Sequence, residues 1–231
     1  MKKALLVYAL GQEHEEMHRL TMPGKQRYAE RHSYILFEPT IAYQGRPLSW
    51  EKIPLLVDLL TIYDCVLFLG ADVYIDDPTF DIAANVPAAA WQALVVHDID
   101  AMPGTSYVGQ VPNCDVWLLY PPMLPYLQQI QELAPALLRH PWWEQAALMQ
   151  LVHFSLDFPC RRQQPSELWA HTYELDSRWN QHPYAKIVGE PYFRHATGVE
   201  MPRRLEMLRE WHYHGSLYRP TRQAALAHGP A

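Results

Sequence analysis

Three unbroken apolar runs shape the first seventy residues: Ala4-Leu5-Leu6-Val7-Tyr8 within residues 3–9, Ser33-Tyr34-Ile35-Leu36-Phe37, and Asp64-Cys65-Val66-Leu67-Phe68-Leu69. A strand with one wet face alternates apolar and polar residues. Continuous runs like these suit strands covered on both faces, as in a parallel sheet. Gly11 ends the first run and Pro39 the second. Ile53, Leu56, Val57 and Leu60 recur at helical spacing and predict a helix within residues 49–63, with Ser49 as candidate cap and Pro54 in the first turn. Residues 12–32 are polar and broken by Pro23-Gly24, which predicts a loop plus a short helix. Further strands are expected at 91–97 and 116–120. Strands alternating with helices make this an α/β chain with a mainly parallel central sheet and helices on both faces.

From about residue 121 the pattern turns helical, over 123–138 and then 142–153. A less regular stretch covers 159–195, with a candidate strand at 185–189 and a terminal helix at 205–211. Residues 219–231 lack a periodic apolar face and are expected to fray. No repeat or composition break divides the chain, so 1–231 reads as one domain.

Composition excludes several classes. No apolar run reaches the roughly 18 residues needed to span a bilayer. The start of the chain reads as a core strand, not a signal peptide. A net charge of −6 argues against a nucleic-acid surface. Cys65, Cys114 and Cys160 are odd in number and lack metal-ligand spacing, so a soluble, reduced, cytoplasmic protein is expected. The 8 tryptophans, 14 tyrosines and 12 histidines suit a ligand cleft without naming its ligand.

The third run leads into Gly70-Ala71-Asp72, so Asp72 lies just past a strand's carboxyl end, where open parallel sheets bind ligands. It either holds a metal ion or ligand hydroxyl, or starts a turn. His195 precedes Gly198 in Phe193-Arg194-His195-Ala196-Thr197-Gly198, where glycine permits close backbone approach; alone, a packed or surface histidine explains it as well. Trp142-Trp143 stand directly before Glu144-Gln145 and form a candidate acceptor platform, unless one faces the core and the other closes a helix start. Tyr8 ends the first strand, where a nucleotide base or the core would take it. Trp179 and Tyr184 are further candidates for the same cleft. Asp76-Asp77-Pro78 reads as a surface turn, and Arg161-Arg162 as a solvated pair.

Taken in order, these pieces resemble the GT-A glycosyltransferases. The retaining glycogenin-like group and the fungal galactosyltransferase and plant xylosyltransferase group look most similar. Residues 49–73, running from Ser49-Trp50-Glu51-Lys52 to Gly70-Ala71-Asp72-Val73, resemble the stretch around their Asp-x-Asp motif, and Arg27 to Tyr34 their approach to the second strand. Pro112-Asn113-Cys114-Asp115-Val116 resembles their Asn-x-Gly strand, Glu144-Gln145 their acidic-Gln motif, and His195-Ala196-Thr197-Gly198 their His-x-x-Gly. The resemblance covers about residues 25–200.

It implies a single Rossmann-like GT-A domain that moves a sugar from a nucleotide-diphosphate sugar, most often a UDP-sugar, to a glycan or other hydroxyl acceptor. Retention of configuration and use of Mn2+ or Mg2+ are implied with it. Asp72 and His195 fall on metal ligands. Lys52, Asn113 and Gly198 fall on donor contacts, with Tyr8 at the base. Glu144 and Gln145 fall around the reacting sugar, where Asp115 adds a carboxylate, and the candidate acceptor platform of Trp142 and Trp143 stands next to them. Two departures stand out: Gly70 replaces the first motif Asp, and Asp115 replaces the glycine of Asn-x-Gly. Arg203 or Arg204 takes the place of the basic residue expected near Met201. Gly70 also favours a rival reading, a non-catalytic nucleotide-sugar-binding protein on a degenerate GT-A fold. A second rival is a viral-type glycosyltransferase acting on modified DNA bases, against which the negative charge weighs.

Overall fold

The computed structural model describes residues 1–43, 45–99, 109–185 and 189–217. Strands β1 (Lys3–Leu6), β2 (Tyr34–Phe37), β3 (Cys65–Leu69), β5 (Gln92–Ile99), β6 (Gly109–Leu119) and β7 (Thr172–Leu175) form one sheet in the order β2-β1-β3-β6-β5-β7. β6 alone runs against the rest, because β1 is parallel to β2 and β3, both β3 and β5 are antiparallel to β6, and β7 is parallel to β5. The sheet is therefore mainly parallel, as expected. Two short strands, β4 (Val73–Ile75) and β8 (Phe193–His195), pair separately and antiparallel.

The first and third runs are buried on both sides, whereas β2, at the sheet edge, leaves Ile35 exposed, which corrects the expectation for the second run. Ala4, Leu6, Val66 and Phe68 point to one core and Leu5, Val7, Leu67 and Leu69 to another. Helices α2 (Lys52–Leu60), α3 (Leu124–Leu137) and α4 (Trp143–Leu151) cover the first face through Leu56, Leu127 and Ala147. α1 (Gln12–His32) covers the second face through Met22, Tyr28 and Ala29. A short α5 (Glu167–Ala170) leads into β7, and α6 (Met201–Leu217) packs on α1 around Met17, Leu20 and Leu208.

Three further expectations need correction. Residues 12–32 are one 21-residue helix, not a loop plus a short helix. Its buried stripe, Met17, Leu20, Thr21, Gly24, Lys25 and Tyr28, keeps strict helical spacing, and three of those six residues are not apolar. Docking of that stripe overrides Pro23, whose cost in a helix interior is about 3 kcal/mol. Ser49 caps nothing: it lies in a 3-10 turn (Leu48–Glu51) that runs straight into α2, and its hydroxyl is buried without a partner. The irregular stretch 159–195 contains α5, β7 and β8. Residues 186–188 of the expected strand at 185–189, and the tail at 219–231, lie outside the described residues. Among the described residues no helix is long and apolar enough to cross a membrane, and all three cysteines are free and buried.

Candidate active site

The carboxyl end of β3 is fixed from behind by α1. Lys25 Nζ donates to the Gly70 carbonyl (2.6 Å) and Thr21 Oγ1 to the Ala71 carbonyl (2.8 Å), which anchors the turn that leads into Asp72. Lys25 is fully enclosed, and burial pushes its ammonium down to about 7 even though Asp72, Asp115 and Glu38 act to raise it. Beyond the turn, the register of the small sheet places Val73 opposite His195. Residues more than a hundred positions apart thereby meet: His195 Nε2 lies 3.2 Å from Asp72 Oδ1, and the Ala196 amide donates to the Asp72 carbonyl. Arg204 Nη1 donates to Asp72 Oδ2 at 3.2 Å. Burial works against the charged Asp72 carboxylate, but His195 and Arg204 prevail and hold it well below the usual carboxylate range.

β6 supplies the neighbouring wall. Its pairing with β5 jumps from Leu94–Trp117 to Val95–Asn113, a bulge that takes Cys114, Asp115 and Val116 out of that ladder. Asn113 Oδ1 accepts the Asp115 amide, which fixes the bulge. Asp115 Oδ2 comes within 3.5 Å of His195 Nε2. A Cβ at residue 70 would lie 3.2 Å from Asp115 Cβ and 3.3 Å from Asp72 Oδ1, so Gly70 makes room for this carboxylate.

The first turn of α2 contributes Lys52. Its ammonium, 1% exposed, contacts Glu144 Oε1 (2.8 Å), Asp115 Oδ1 (3.1 Å) and the Cys114 carbonyl (3.2 Å), and sits over the Phe68 ring. Lys52 is held well above its ordinary range: burial opposes the charge, but Asp115, Cys114 and Glu144 outweigh it. Glu144 Oε2 is buried and has no hydrogen-bond partner. Tyr8 packs on Phe68 and donates to the Leu48 carbonyl at 3.1 Å.

These groups converge on one cavity of about 740 Å³. Tyr8, Lys52, Asp72, Asn113, Asp115, Trp142, Trp143, Glu144, Gln145 and Gly198 all line it; His195 stands behind Asp72 and Asp115. Gly198 adopts φ 76°, the left-handed region that glycine tolerates. Trp142 is half-buried and meets Phe158 edge to face, whereas Trp143 is 40% exposed at the cavity mouth with φ 45°, an uncommon value for a bulky residue. Two cleft candidates fail. Trp179 is buried against Tyr192 and Phe193, and Tyr184 packs beside His182 away from the lining. Asp76 is partly buried and pairs with Arg194 outside the cavity lining. Of the two arginines, Arg204 lines the cavity and Arg203 pairs outward with Glu206.

The donor set fits a divalent cation in part. His195 Nε2 is buried, makes no hydrogen bond of acceptable geometry, and is flanked by carboxylate oxygens of Asp72 and Asp115, which is oxygen–nitrogen chemistry suited to Mn2+ or Mg2+. Yet Arg204 engages the other Asp72 oxygen, and among the described residues no group of three His, Cys, Asp or Glu side chains has metal-site spacing. The protein thus offers an incomplete coordination shell.

Comparison with solved structures decides the architecture. A glycosyltransferase involved in glycosylating the major capsid of PBCV-1 superposes with a TM-score of 0.64 at 18% identity, over 91% of this chain and 100% of that one. The chain has the GT-A glycosyltransferase fold. The galactosyltransferase LgtC matches with a TM-score of 0.56 at 11% identity, over 89% of this chain and 95% of LgtC. The glycosyltransferase GlyE of Streptococcus pneumoniae TIGR4 gives 0.53 at 11%, over 96% of this chain and 66% of GlyE. No protein-family model matches the chain, and no curated protein does.

Sequence reasoning missed His97 and His182, which line the cavity, and Lys25 and Asn180, which support its lining from behind. Lys25 had a signal, a charged residue inside a buried helical stripe. His97 had one too, a histidine within a strand otherwise buried. Asn180 and His182 come from an irregular segment and had none.

Proposed function

We propose that the protein is a glycosyltransferase that moves a sugar from a nucleotide-diphosphate sugar, a UDP-sugar foremost, to a hydroxyl of a glycan or other acceptor, with retention at the anomeric carbon. The observation that carries this reading is one cavity at the carboxyl edge of a GT-A sheet, lined by the carboxylates of Asp72 and Asp115 with the His195 imidazole behind them and by a buried Lys52–Glu144 pair. Such a floor suits the two ends of this donor, a diphosphate and a neutral sugar.

Asp72 and His195 would hold Mn2+ or Mg2+, with further ligands from the donor's phosphates. Bound there, the cation would neutralise charge on the departing nucleotide and make it a better leaving group. Arg204 and the backbone at Gly198 stand beside the same place, available to phosphate oxygens. Lys52 pairs with Glu144 Oε1 and would orient that side chain. The free Glu144 Oε2 can then accept a sugar hydroxyl or face the positive charge that grows on the anomeric carbon. Gln145 sits beside it, and one matched structure is an active-site glutamine-to-glutamate mutant of LgtC. The sequence offers no obvious double-displacement nucleophile, so the step we favour is front-face transfer with the leaving diphosphate taking the acceptor proton. Tyr8 would bound the base, and Trp143 the acceptor.

Absence of an acid at residue 70 and the incomplete metal shell favour one second reading, a protein that binds nucleotide sugars without turnover. Calorimetry and hydrolysis assays with UDP- and GDP-sugars, with Mn2+ and then with EDTA, separate the possibilities. Binding with hydrolysis or transfer supports the enzyme. Binding without either supports the second reading, and binding of none of them refutes both.

A further inference from the structure

His97 lies on β5 two residues before its end, paired with Val111 of β6. It lines the cavity beside Asn113 and His182, is 2% exposed, and has no hydrogen-bond partner at either ring nitrogen. Buried polar groups are nearly always paired, so two orphans on one ring call for a cause.

Several neighbouring polar atoms are committed elsewhere. Asn180 Nδ2 donates to Asn113 Oδ1 at 2.8 Å, and Asn180 Oδ1 lies 3.1 Å from His195 Nδ1. His182 Nδ1 accepts the Tyr184 amide at 3.0 Å, and its ring is tilted against His97 with centroids 5.1 Å apart. Burial, then His182 and His195, pushes His97 well below its ordinary range, and His182 is pushed down to about 3 by burial with His195 and Arg204. Both rings are neutral near pH 7. His97 therefore offers one N–H donor and one nitrogen acceptor, which complement a hydroxyl and give an anion no charge to pair with.

Asp72, Asp115, Lys52 and Arg204 give the cavity lining charged groups, while His97 and Asn113 add neutral, polar ones. We infer that His97 reads hydroxyl groups of an uncharged sugar ring held beside it in the cavity. This rests on the donor reading above, and the ring can belong to the donor's sugar or to the acceptor.

The test compares His97→Phe and His97→Gln with the parent protein, using UDP and UDP-sugars with Mn2+ in calorimetry, plus saccharide acceptors in transfer assays. His97→Phe removes two orphan polar atoms, so its melting temperature is expected to equal or exceed the parent's. UDP affinity should stay within about twofold, while the extra affinity of the preferred UDP-sugar over UDP falls about tenfold, the loss of one to two hydrogen bonds. His97→Gln should restore part of it. If the ring is the acceptor's, donor affinities hold and the acceptor KM rises about tenfold instead. Unchanged sugar increment and unchanged acceptor KM, as expected if only water fills the site, overturn the inference and leave the donor reading standing. A parent protein that binds no nucleoside diphosphate overturns both.

Discussion

Replacing Lys52 with Met gives the sharpest check on the electrostatics of the site. The ammonium is buried between Glu144 and Asp115, at 2.8 and 3.1 Å, and also bonds the Cys114 carbonyl. Removing one partner of a buried ion pair costs about 3–5 kcal/mol, because the remaining charge is left uncompensated. The two carboxylates do not share this equally. Asp115 is 32% exposed in its side chain and can recover water, whereas Glu144 is 4% exposed and cannot. The loss should therefore fall at the lower end, about 3 kcal/mol, or roughly 6–12 °C in melting temperature for a chain of this size. Urea unfolding at pH 7 measures it directly. Lys52→Met combined with Glu144→Gln removes the stranded charge and should recover at least half of the loss. A single-variant loss under about 1 kcal/mol, as surface pairs give, would refute the reasoning. So would a double variant no more stable than Lys52→Met.

Lys25 predicts a pH effect of definite sign. Its folded value of about 7 lies below the unfolded value, so the unfolded chain binds more protons between pH 7 and 10 and stability from this group rises with pH across that window. Relative to Lys25→Met, the parent protein should gain about 2–3 kcal/mol between pH 6.5 and 9 in urea midpoints, and parallel profiles would exclude a depressed lysine. The two tryptophans should separate by role. Trp142→Ala is expected to cost about 2 kcal/mol through lost packing, and Trp143→Ala under about 1 kcal/mol of stability while raising an acceptor's KM up to about tenfold. Equal stability losses would show that Trp143 is a core residue.

Legibility in the sequence followed burial. β1 and β3 could be read because the covered strands carry almost nothing but apolar residues. α1 was misread because Thr21, Gly24 and Lys25 occupy its buried stripe, where the polar atoms of Thr21 and Lys25 fasten the Gly70–Ala71 carbonyls. Local polarity signalled a loop, and a tertiary task overrode it. Asp72 could be placed at the mouth of the site from the end of its strand. Its meeting with His195 depends on β4–β8 pairing between three-residue strands, too short for any periodic signal. The bulge that turns Asp115 toward His195 leaves no trace in composition either.

Gly70 and Asp115 show what that meeting of strands changes. Read along the chain they are a lost acid and a gained one, forty-five positions apart. In the fold they are neighbours: the Gly70 amide donates to the Asp115 carbonyl at 2.8 Å, and a Cβ on residue 70 would press on Asp115 Cβ, Asp115 Cγ and Asp72 Oδ1 at 3.2–3.4 Å. Neither carboxylate can step aside freely, since Lys52 holds Asp115 and Arg204 holds Asp72. Gly70 lies outside the left-handed region, so alanine there meets side chains without straining the backbone. Gly70→Ala should accordingly cost about 1–2 kcal/mol by overpacking. That cost should shrink in an Asp115→Gly background, where two of the three crowding atoms are gone and Asp72 Oδ1 alone remains. A four-member cycle in urea measures the coupling, and additivity within about 0.5 kcal/mol would dismiss it. Coupling of the expected sign means that residues 70 and 115 compete for one space: the carboxylate reaches the site from β6 because β3 has vacated it, and restoring an acid at 70 requires giving up the acid at 115.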